Sequence, residues 1–206
     1  MSAAALQHLT KSDPVLGQLI TRVGACGWKP ERRRSPFAAL VQSVIHQQLN
    51  GNAAGTILKR VRALYPGVPF PLPEDVLATP DDRLRGAGLS RAKTAAIKAI
   101  ATATRDGIVP DSRTIARLPD DEIINRLTTI RGVGPWTVHM VLMFKLGRPD
   151  ILPTTDFGVR KGFAVTYRGG EMPTPAELLA HGEIWRPYRS FAAWYLWRAL
   201  ELPPPT

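Results

Sequence analysis

The chain has 206 residues, of which 44% are apolar and 21% are charged, a composition typical of a globular protein with a hydrophobic core. Lys and Arg number 27 against 17 Asp and Glu, and the net charge of +10 favours a polyanionic partner such as nucleic acid or an anionic membrane surface. Cys26 is the only cysteine, which excludes an intrachain disulfide, a thiolate zinc cage and a four-cysteine iron–sulfur cluster. No apolar run could span a bilayer and the first residues lack a signal-peptide pattern, so we expect a cytoplasmic protein without a membrane partner.

Helical periodicity recurs along the chain, and no segment alternates convincingly as a strand does. We therefore predict an all-α fold. Asp-Pro and Ser-Pro pairs, at Asp13 and Ser35, give start signals for the first two predicted helices. The predicted ranges are 14–23, 36–47, 52–66, 90–105, 120–128, 135–146, 156–167, 175–181 and 187–200. The proline-rich stretch 68–80 is expected to be a loop with at most one short helix.

Two heptads, Leu84–Ser90 and Ile130–Trp136, share the pattern apolar-Arg-Gly-x-Gly. Two glycines two residues apart permit a tight reversal, so each heptad is interpreted either as a hairpin between two helices or as a plain helix C-cap. In the second heptad, the glycines would let backbone N–H groups of the turn and of the next helix approach a phosphate. Such contacts position DNA without reading its sequence.

The segment 127–161 resembles the helix-hairpin-helix (HhH-GPD) DNA glycosylase superfamily, in which a hairpin of the form apolar-x-Gly-Val-Gly is followed, after a helix, by an essential Asp. Asp156 lies 20 residues beyond Trp136, a spacing similar to that of the family. Three further stretches extend the resemblance over roughly residues 36–200, namely His46–Leu49, Gly88–Lys93 and Trp185–Ser190. The match is most similar to the 3-methyladenine DNA glycosylase II branch, in a short form without an N-terminal β domain.

The resemblance implies a two-lobed helix-hairpin-helix glycosylase fold with the active-site pocket between the lobes. We expect residues 1–35 to form a helical segment that packs with the C-terminal lobe. Residues 36–144 would form a barrel-like helical lobe that ends in the hairpin motif at about 124–146, and residues 145–206 the C-terminal lobe with the catalytic Asp. The implied partner is double-stranded DNA that contains damaged bases, and the implied state is a monomer.

Asp156 is the catalytic residue that the resemblance implies. A fixed carboxylate stabilises the positive charge that develops on the sugar as the bond between C1′ and the base breaks, and it can orient the attacking water. A base alkylated at a ring nitrogen already carries positive charge and leaves without protonation, so one carboxylate suffices. The residues alone also favour a helix N-cap at Thr154–Asp156, and the two roles are compatible.

Trp136 stands where lyase-active relatives carry a lysine, two residues after the second hairpin glycine. An indole cannot form an imine, so we expect a monofunctional enzyme without lyase activity. Trp136 instead offers a flat face on which a flipped cationic base can stack. The other pocket residues that the resemblance implies are Met140, Phe157 and Trp197, and Trp197 is equally well interpreted as a core residue of the last helix.

A flipped base leaves a gap in the duplex, which the family fills with a side chain from the turn after the Gln-Gln helix, here Gln48 or Leu49. His46 would approach the minor groove from the same turn. The DNA-binding residues implied at the hairpin are Arg131, Gly132, Val133, Gly134 and Thr137. No cofactor is expected to be required. Some relatives hold a monovalent cation with hairpin carbonyls, which here would be those of Thr128, Ile130 and Val133.

The implied function is base excision repair by hydrolysis of the N-glycosidic bond of alkylated bases of the 3-methyladenine and 7-methylguanine type in duplex DNA. Two alternatives stay open. The first is a glycosylase for neutral lesions such as hypoxanthine or ethenoadenine, and the second is a non-catalytic hairpin module that only binds duplex DNA. Asp156 favours an enzyme, because pure binding has no use for a buried carboxylate near a polyanion.

Overall fold

A computed structural model describes residues 3–49 and 51–203, and this part of the chain contains helices and no β-strand. The predicted all-α fold is confirmed. The α-helices are α1 Ala3–Ser12, α2 Pro14–Val23, α3 Pro36–His46, α4 Gly51–Ala63, α5 Pro73–Ala78, α6 Asp81–Gly86, α7 Arg91–Arg105, α8 Ser112–Ile115, α9 Asp120–Leu127, α10 Pro135–Val141, α11 Phe157–Tyr167, α12 Pro175–His181 and α13 Arg189–Ala199. A π-helix, Leu142–Leu146, continues α10, and a 3-10 helix, Gly182–Trp185, follows α12.

The chain divides into two compact units. One, the terminal unit, combines the N-terminal residues up to Pro30 with those from Gly147 onward. The other, the central unit, runs from Glu31 to Leu146. The terminal unit thus contains α1, α2 and α11–α13, and the central unit contains α3–α10 with the π-helix.

The predicted start signals of α2 and α3 are present as helix caps. Asp13 accepts the backbone N–H of Leu16, and Ser35 accepts that of Ala38, while a proline fills the first position of each helix. The proline-rich stretch 68–80 contains one short helix, α5, as the sequence allows. None of the helices among the described residues is both long and apolar enough to cross a membrane.

Three α-helices, α1, α6 and α8, have no counterpart among the predicted ranges. α8 is four residues long and depends on Asp111, whose carboxylate accepts the N–H groups of Arg113 and Thr114. α1 buries Ala5 and Leu9 and packs against α2. A four-residue helix is too short for a periodic apolar pattern, so its signal lies in the cap alone.

Candidate active site and DNA-binding hairpin

Asp156 is the N-cap of α11, as its residue type predicts. Its Oδ1 atom accepts the backbone N–H of Val159 at 2.8 Å and the indole N–H of Trp197, also at 2.8 Å. One donor comes from the helix that Asp156 starts, and the other comes from α13. The carboxylate is therefore fixed in direction before any substrate binds, which is the condition for stabilising a developing charge without reorganisation.

Two glycines of α11 allow α13 to approach Asp156 closely. A Cβ on Gly162 would lie 2.0 Å from the carbonyl oxygen of Leu196, and a Cβ on Gly158 would lie 2.8 Å from Cδ1 of Trp197. Gly158 and Gly162 are four residues apart, so they share one face of the helix. Any larger side chain at either position would push α13 away and separate Trp197 from the carboxylate.

The segment that leads to Asp156 is fixed by residues just before and at the start of α13. Nε of Arg189 donates to Oδ1 of Asp150 at 2.7 Å, and Nη1 of Arg186 donates to Oδ2 at 2.8 Å. The backbone N–H of Ile151 donates to the hydroxyl of Ser190 at 2.9 Å. The stretch Trp185–Ser190, which carries part of the resemblance, thus positions the residues that precede Asp156.

A buried carboxylate, Asp13, joins the two ends of the terminal unit. Its Oδ2 atom accepts the hydroxyl of Tyr167 at 2.7 Å and the indole N–H of Trp185 at 2.8 Å, and it lies 3.1 Å from Nε2 of His181. Burial would raise the pKa of Asp13, but the hydrogen bonds from His181, the Leu16 N–H, Trp185 and Tyr167 outweigh burial and hold that pKa well below its usual range. Asp13 therefore anchors the far end of α11, the helix that Asp156 starts.

The predicted pocket aromatics differ in their surroundings. Phe157 is 67% exposed, and Nζ of Lys161 lies 5.9 Å from the centre of its ring. Trp197 and Trp136 are half-buried. Trp197 makes a contact that the sequence interpretation did not include, because its indole N–H donates to the carboxylate of Asp156.

The two hairpin glycines have different structural tasks. Gly132 adopts a left-handed φ of 83°, and a Cβ there would lie 2.4 Å from Cβ of Ala96, so the turn needs glycine for both reasons. Gly134 is the N-cap of α10 with φ of −97°, and a Cβ there would meet nothing within 4 Å. The N–H of Val133 donates to the Ile130 carbonyl at 3.0 Å and is used inside the turn. Gly134 is thus the glycine whose small size the fold itself does not require.

The first heptad is also a turn between two helices. Gly86 ends α6, and Gly88 takes the left-handed conformation with φ of 105°. The hydroxyl of Ser90 then caps α7 by accepting the N–H of Lys93 at 3.2 Å. The hairpin and C-cap interpretations are therefore both correct here. The left-handed glycine is the second one in this heptad and the first one in the other, so the two copies are not equivalent.

The turn after α3 comprises Gln47–Leu49 and is called the plug turn below. Gln48 is exposed and has a left-handed φ of 55°, and Leu49 is 39% exposed. Nδ1 of His46 lies 2.8 Å from the carbonyl oxygen of Gln42 in its own helix. Both candidates for filling the duplex gap therefore lie on the surface of the central unit, and their role there stays a prediction.

Three predicted site residues of the central unit have buried side chains, namely Val133, Thr137 and Met140. The Thr137 hydroxyl accepts an N–H from the side chain of Gln47 at 2.9 Å. Arg131 and Gly132 are exposed beside them. DNA contacts by Val133 and Thr137 would consequently come from backbone atoms, while Arg131 can present its guanidinium. The contacts of all these residues with DNA or a base stay predictions.

A helical chain with a Gly-Val-Gly hairpin and an Asp that caps a later helix is the arrangement expected of a base-excision glycosylase. The family model described as "HhH-GPD superfamily base excision DNA repair protein" matches residues 41–187, more than half of the chain. The chain belongs to this superfamily. It is similar to DNA-3-methyladenine glycosylase 1 of Schizosaccharomyces pombe, with 36% identity over 198 residues that cover 95% of this chain and 86% of the relative.

Two solved structures are also similar. The S. pombe 3-methyladenine DNA glycosylase in complex with abasic DNA has a TM-score of 0.94 and 36% identity, and the match covers 99% of this chain and 100% of that one. A DNA-3-methyladenine glycosidase from Bacillus halodurans has a TM-score of 0.80 and 33% identity, with coverage of 96% and 89%. The predicted family and fold are confirmed.

Proposed function

We propose that the protein is a monofunctional DNA glycosylase that hydrolyses the N-glycosidic bond of alkylated bases, of the 3-methyladenine and 7-methylguanine type, in duplex DNA. The observation that carries the proposal is Asp156, whose Oδ1 atom is fixed by the Val159 N–H and the Trp197 indole N–H. The similar proteins from S. pombe and B. halodurans are 3-methyladenine glycosylases, which supports this substrate class. The S. pombe relative binds abasic DNA, which is the kind of DNA that base removal leaves.

The chemistry requires stabilisation of a positive charge on the sugar. As the bond between C1′ and the base lengthens, the sugar becomes oxocarbenium-like, and the Asp156 carboxylate stabilises that charge and orients the attacking water. An alkylated base departs as a neutral molecule, since it begins with a positive charge, and needs no acid. In the ground state the same carboxylate faces a polyanion, so its favourable interaction is concentrated in the transition state.

We infer that the second hairpin anchors the duplex. Arg131 and Gly132 are exposed, and Gly134 leaves open space at the start of α10. Backbone N–H groups at this turn can bind phosphate, and the net charge of +10 strengthens association with any duplex. The plug turn then supplies Gln48 or Leu49 to fill the gap left by the flipped base. The protein would act on damaged duplex as a monomer.

No cofactor is needed for this chemistry, and a monovalent cation at the hairpin is a further proposal. Its ligands would be the carbonyl oxygens of Thr128, Ile130 and Val133. The Ile130 oxygen accepts the Val133 N–H, and a carbonyl oxygen has a second lone pair that can bind a cation. A cation there would supply positive charge beside a DNA phosphate.

The proposal is tested with a methylated duplex and the Asp156→Asn variant. Asparagine is as good an N-cap as aspartate, so the start of α11 is preserved while the charge is lost. We expect the wild type to release 3-methyladenine and 7-methylguanine, and the variant to be slower by at least about 100-fold in single-turnover excision. DNA binding by the variant should be equal or tighter, and its melting temperature should match that of the wild type.

Three other results of this experiment would each contradict the proposal and indicate a different role. Near-normal excision by Asp156→Asn would reduce Asp156 to a helix cap. Release of hypoxanthine or ethenoadenine without release of methylated bases would identify a glycosylase for neutral lesions. Tight binding of duplex DNA with no release of any base would identify a non-catalytic hairpin module.

The monofunctional assignment has its own test, since Trp136 occupies the position of the lyase lysine. Borohydride reduction in the presence of DNA that contains an abasic site should give no efficient covalent adduct with the protein, because an indole forms no imine. A lyase-active glycosylase serves as the positive control. Strong trapping of this protein would mean that another amine forms an imine with the sugar.

A further inference from the structure

Lys93 reaches from α7 to the end of α3. Its ammonium Nζ donates to the carbonyl oxygen of Ile45 at 2.8 Å and to that of Gln47 at 2.9 Å. The last carbonyl groups of an α-helix have no partner within the helix, so an outside donor determines how the chain leaves it. Partial burial lowers the pKa of Lys93, which indicates that this amine is withdrawn from water in order to make these contacts.

The chain leaves α3 through a left-handed backbone conformation at Gln48, which surrounding contacts must stabilise. Gln48 has φ of 55° and is the only residue other than glycine with positive φ in the described part of the chain. Side-chain-bearing residues adopt this conformation rarely, and they retain it where surrounding contacts determine it. The N–H of Leu49 donates to the His46 carbonyl at 3.3 Å, a weak bond for this purpose. Lys93 bonds the carbonyl of Gln47, the residue immediately before Gln48, and that of Ile45 in the last turn of α3.

The plug turn is also bonded to the hairpin. Nε2 of Gln47 donates to the Gly132 carbonyl at 3.1 Å and to the Thr137 hydroxyl at 2.9 Å. Thr137 is buried in the first turn of α10, so this attachment is a rigid one. Gln47 thus connects the residues that enter the duplex gap with the turn that anchors the backbone.

The first heptad explains why Lys93 is in place. Its Ser90 hydroxyl accepts the Lys93 N–H and starts α7 there. The left-handed Gly88 allows the close approach to α4, where a Cβ would meet Cγ1 of Ile57 at 3.1 Å. The heptad therefore directs the first turn of α7 towards the end of α3, a task in which it need not contact DNA at all.

We propose that Lys93 and Gln47 are positioning residues that hold the plug turn ready for insertion, Lys93 by bonding the end of α3 and Gln47 by joining the turn to the hairpin. This inference rests on the proposed function, because it concerns the step in which a base leaves the stack. Lys93 acts on base displacement and excision without contacting the damaged base. The hairpin, once bound to phosphate, presents the plug turn at a fixed position along the duplex.

The test compares Lys93→Met with Lys98→Met. Methionine keeps an unbranched apolar chain and removes the donors, and Lys98 lies on the same helix with its ammonium paired to Asp81, so both variants lose one positive charge. Plug insertion is followed by the fluorescence of 2-aminopurine next to a tetrahydrofuran abasic analogue. Excision is followed on methylated duplex under single-turnover conditions with saturating protein.

We expect Lys93→Met to bind intact duplex within about twofold of Lys98→Met, since phosphate contacts dominate that affinity. Its 2-aminopurine response should be largely lost and its excision at least about tenfold slower. Lys93→Arg, which keeps donors, should recover much of both. Gln47→Leu keeps the backbone carbonyl that Lys93 bonds and removes only the link to the hairpin. It should reduce the 2-aminopurine response, and its melting temperature should fall less than that of Lys93→Met.

A double-mutant cycle separates positioning from general stabilisation. When Gln48 and Leu49 are both alanine, adding Lys93→Met should change excision no further, because the residues through which Lys93 acts are already gone. The proposal would be overturned if Lys93→Met slowed excision further in that double-alanine background. It would also be overturned if Lys93→Met and Lys98→Met had the same excision rate and 2-aminopurine response, or if Lys93→Met weakened binding to intact duplex as much as it slowed excision. If Lys93→Met fails to fold, the Lys93→Arg and Gln47→Leu measurements decide in its place.

Failure of the proposed function gives a different result. The 2-aminopurine response on the abasic analogue requires no bond cleavage. A wild-type protein that responds to the analogue but releases no base would refute the glycosylase proposal, and the comparison of Lys93→Met with Lys98→Met on the same analogue would still decide the positioning roles.

Discussion

Trp197 and Val159 donate to the same oxygen of Asp156, and only one of these donors follows from the local sequence. The Val159 N–H makes the ordinary N-cap bond that an Asp at the start of a helix can accept. The Trp197 indole arrives from another helix, and it does so because Gly158 leaves room for it. A charged acceptor with a neutral donor makes a stronger bond than two neutral groups, so this contact should matter for the rate.

Trp197→Phe tests that contact, because it keeps an aromatic ring and removes the donor. We expect single-turnover excision to fall by about 10- to 100-fold, the equivalent of a hydrogen bond to a charged group, while duplex binding stays unchanged. Trp194→Phe is the matched control, since Trp194 lies on the same helix and is also half-buried. Equal rates for the two variants would show that the Trp197 N–H has no part in positioning the carboxylate.

At the level of elements, the hairpin between α9 and α10 contains one glycine that the fold requires, Gly132, and one that it does not, Gly134. The left-handed φ and the neighbouring Ala96 make Gly132 a requirement of the turn itself. Gly134 has an extended φ that any residue can adopt, and the space around its Cβ position is open. The absence of a side chain at Gly134 therefore serves something outside the fold, for which a closely approaching phosphate is the natural candidate.

Alanine substitutions at the two glycines should accordingly have different effects. Gly132→Ala should lower the free energy of unfolding by about 1–2 kcal/mol from the backbone conformation alone, with a further loss from the contact with Ala96. Gly134→Ala should leave the melting temperature nearly unchanged and weaken binding to damaged and intact duplex alike. Normal DNA affinity in Gly134→Ala would remove the close backbone approach from the account of DNA binding.

The elements could be predicted from the sequence where the signal is local. The caps at Asp13, Ser35 and Asp156 were recognisable because a cap bonds N–H groups two or three residues away. The contacts of Trp197 and Lys93 were not, since each depends on which helices become neighbours. Two glycines four apart in α11 were the available signal for a close helix contact.

In the hairpin, too, the sequence pattern alone could not predict what depends on packing, although the residues are close together in the chain. Gly132 and Gly134 are the same residue type in a symmetrical pattern, and their different tasks appear only when φ and the neighbouring atoms are known. The equivalence suggested by the two heptads also fails for this reason. A pattern of glycines predicts a reversal, whereas the identity of the left-handed residue depends on the packing around it.

At the scale of the molecule, the cluster of Asp13 with Tyr167, His181 and Trp185 connects the start of α2 with the end of α11 and the residues that follow it. Three side-chain donors from Tyr167, His181 and Trp185 surround one oxygen of Asp13, and Asp13 is only 4% exposed. A buried acceptor with several donors is costly to remove, because every donor is left without a partner. We therefore expect this cluster to stabilise the terminal unit as a whole.

Asp13→Ala should reduce the free energy of unfolding at pH 7 by at least about 3 kcal/mol, at about 1 kcal/mol or more for each donor left unsatisfied. The folded-state pKa of Asp13 is lowered, so its stabilisation is complete above the unfolded pKa of about 4 and is lost as pH falls below it. Urea denaturation at pH 7 and pH 3 should show the difference between variant and wild type shrinking at the lower pH.

Asp111→Ala is the control, because Asp111 also caps a helix but is exposed. Its effect at pH 7 should be much smaller than that of Asp13→Ala. Equal effects of the two variants, or a difference from wild type that is as large at pH 3 as at pH 7, would contradict the stabilising role assigned to the Asp13 carboxylate.

The division of the chain into units has a consequence for synthesis on the ribosome. The central unit, Glu31–Leu146, is contiguous, so all of its residues leave the ribosome before the partners of Asp13 do. The Asp13 carboxylate can accept hydrogen bonds from Tyr167, His181 and Trp185 only after those residues have also left the ribosome. Domains generally fold as units in the order in which they are made. The turn at Gly132 and Gly134 should thus form on the nascent chain before the carboxylate of Asp156, which is bonded by Trp197, has been fixed in place.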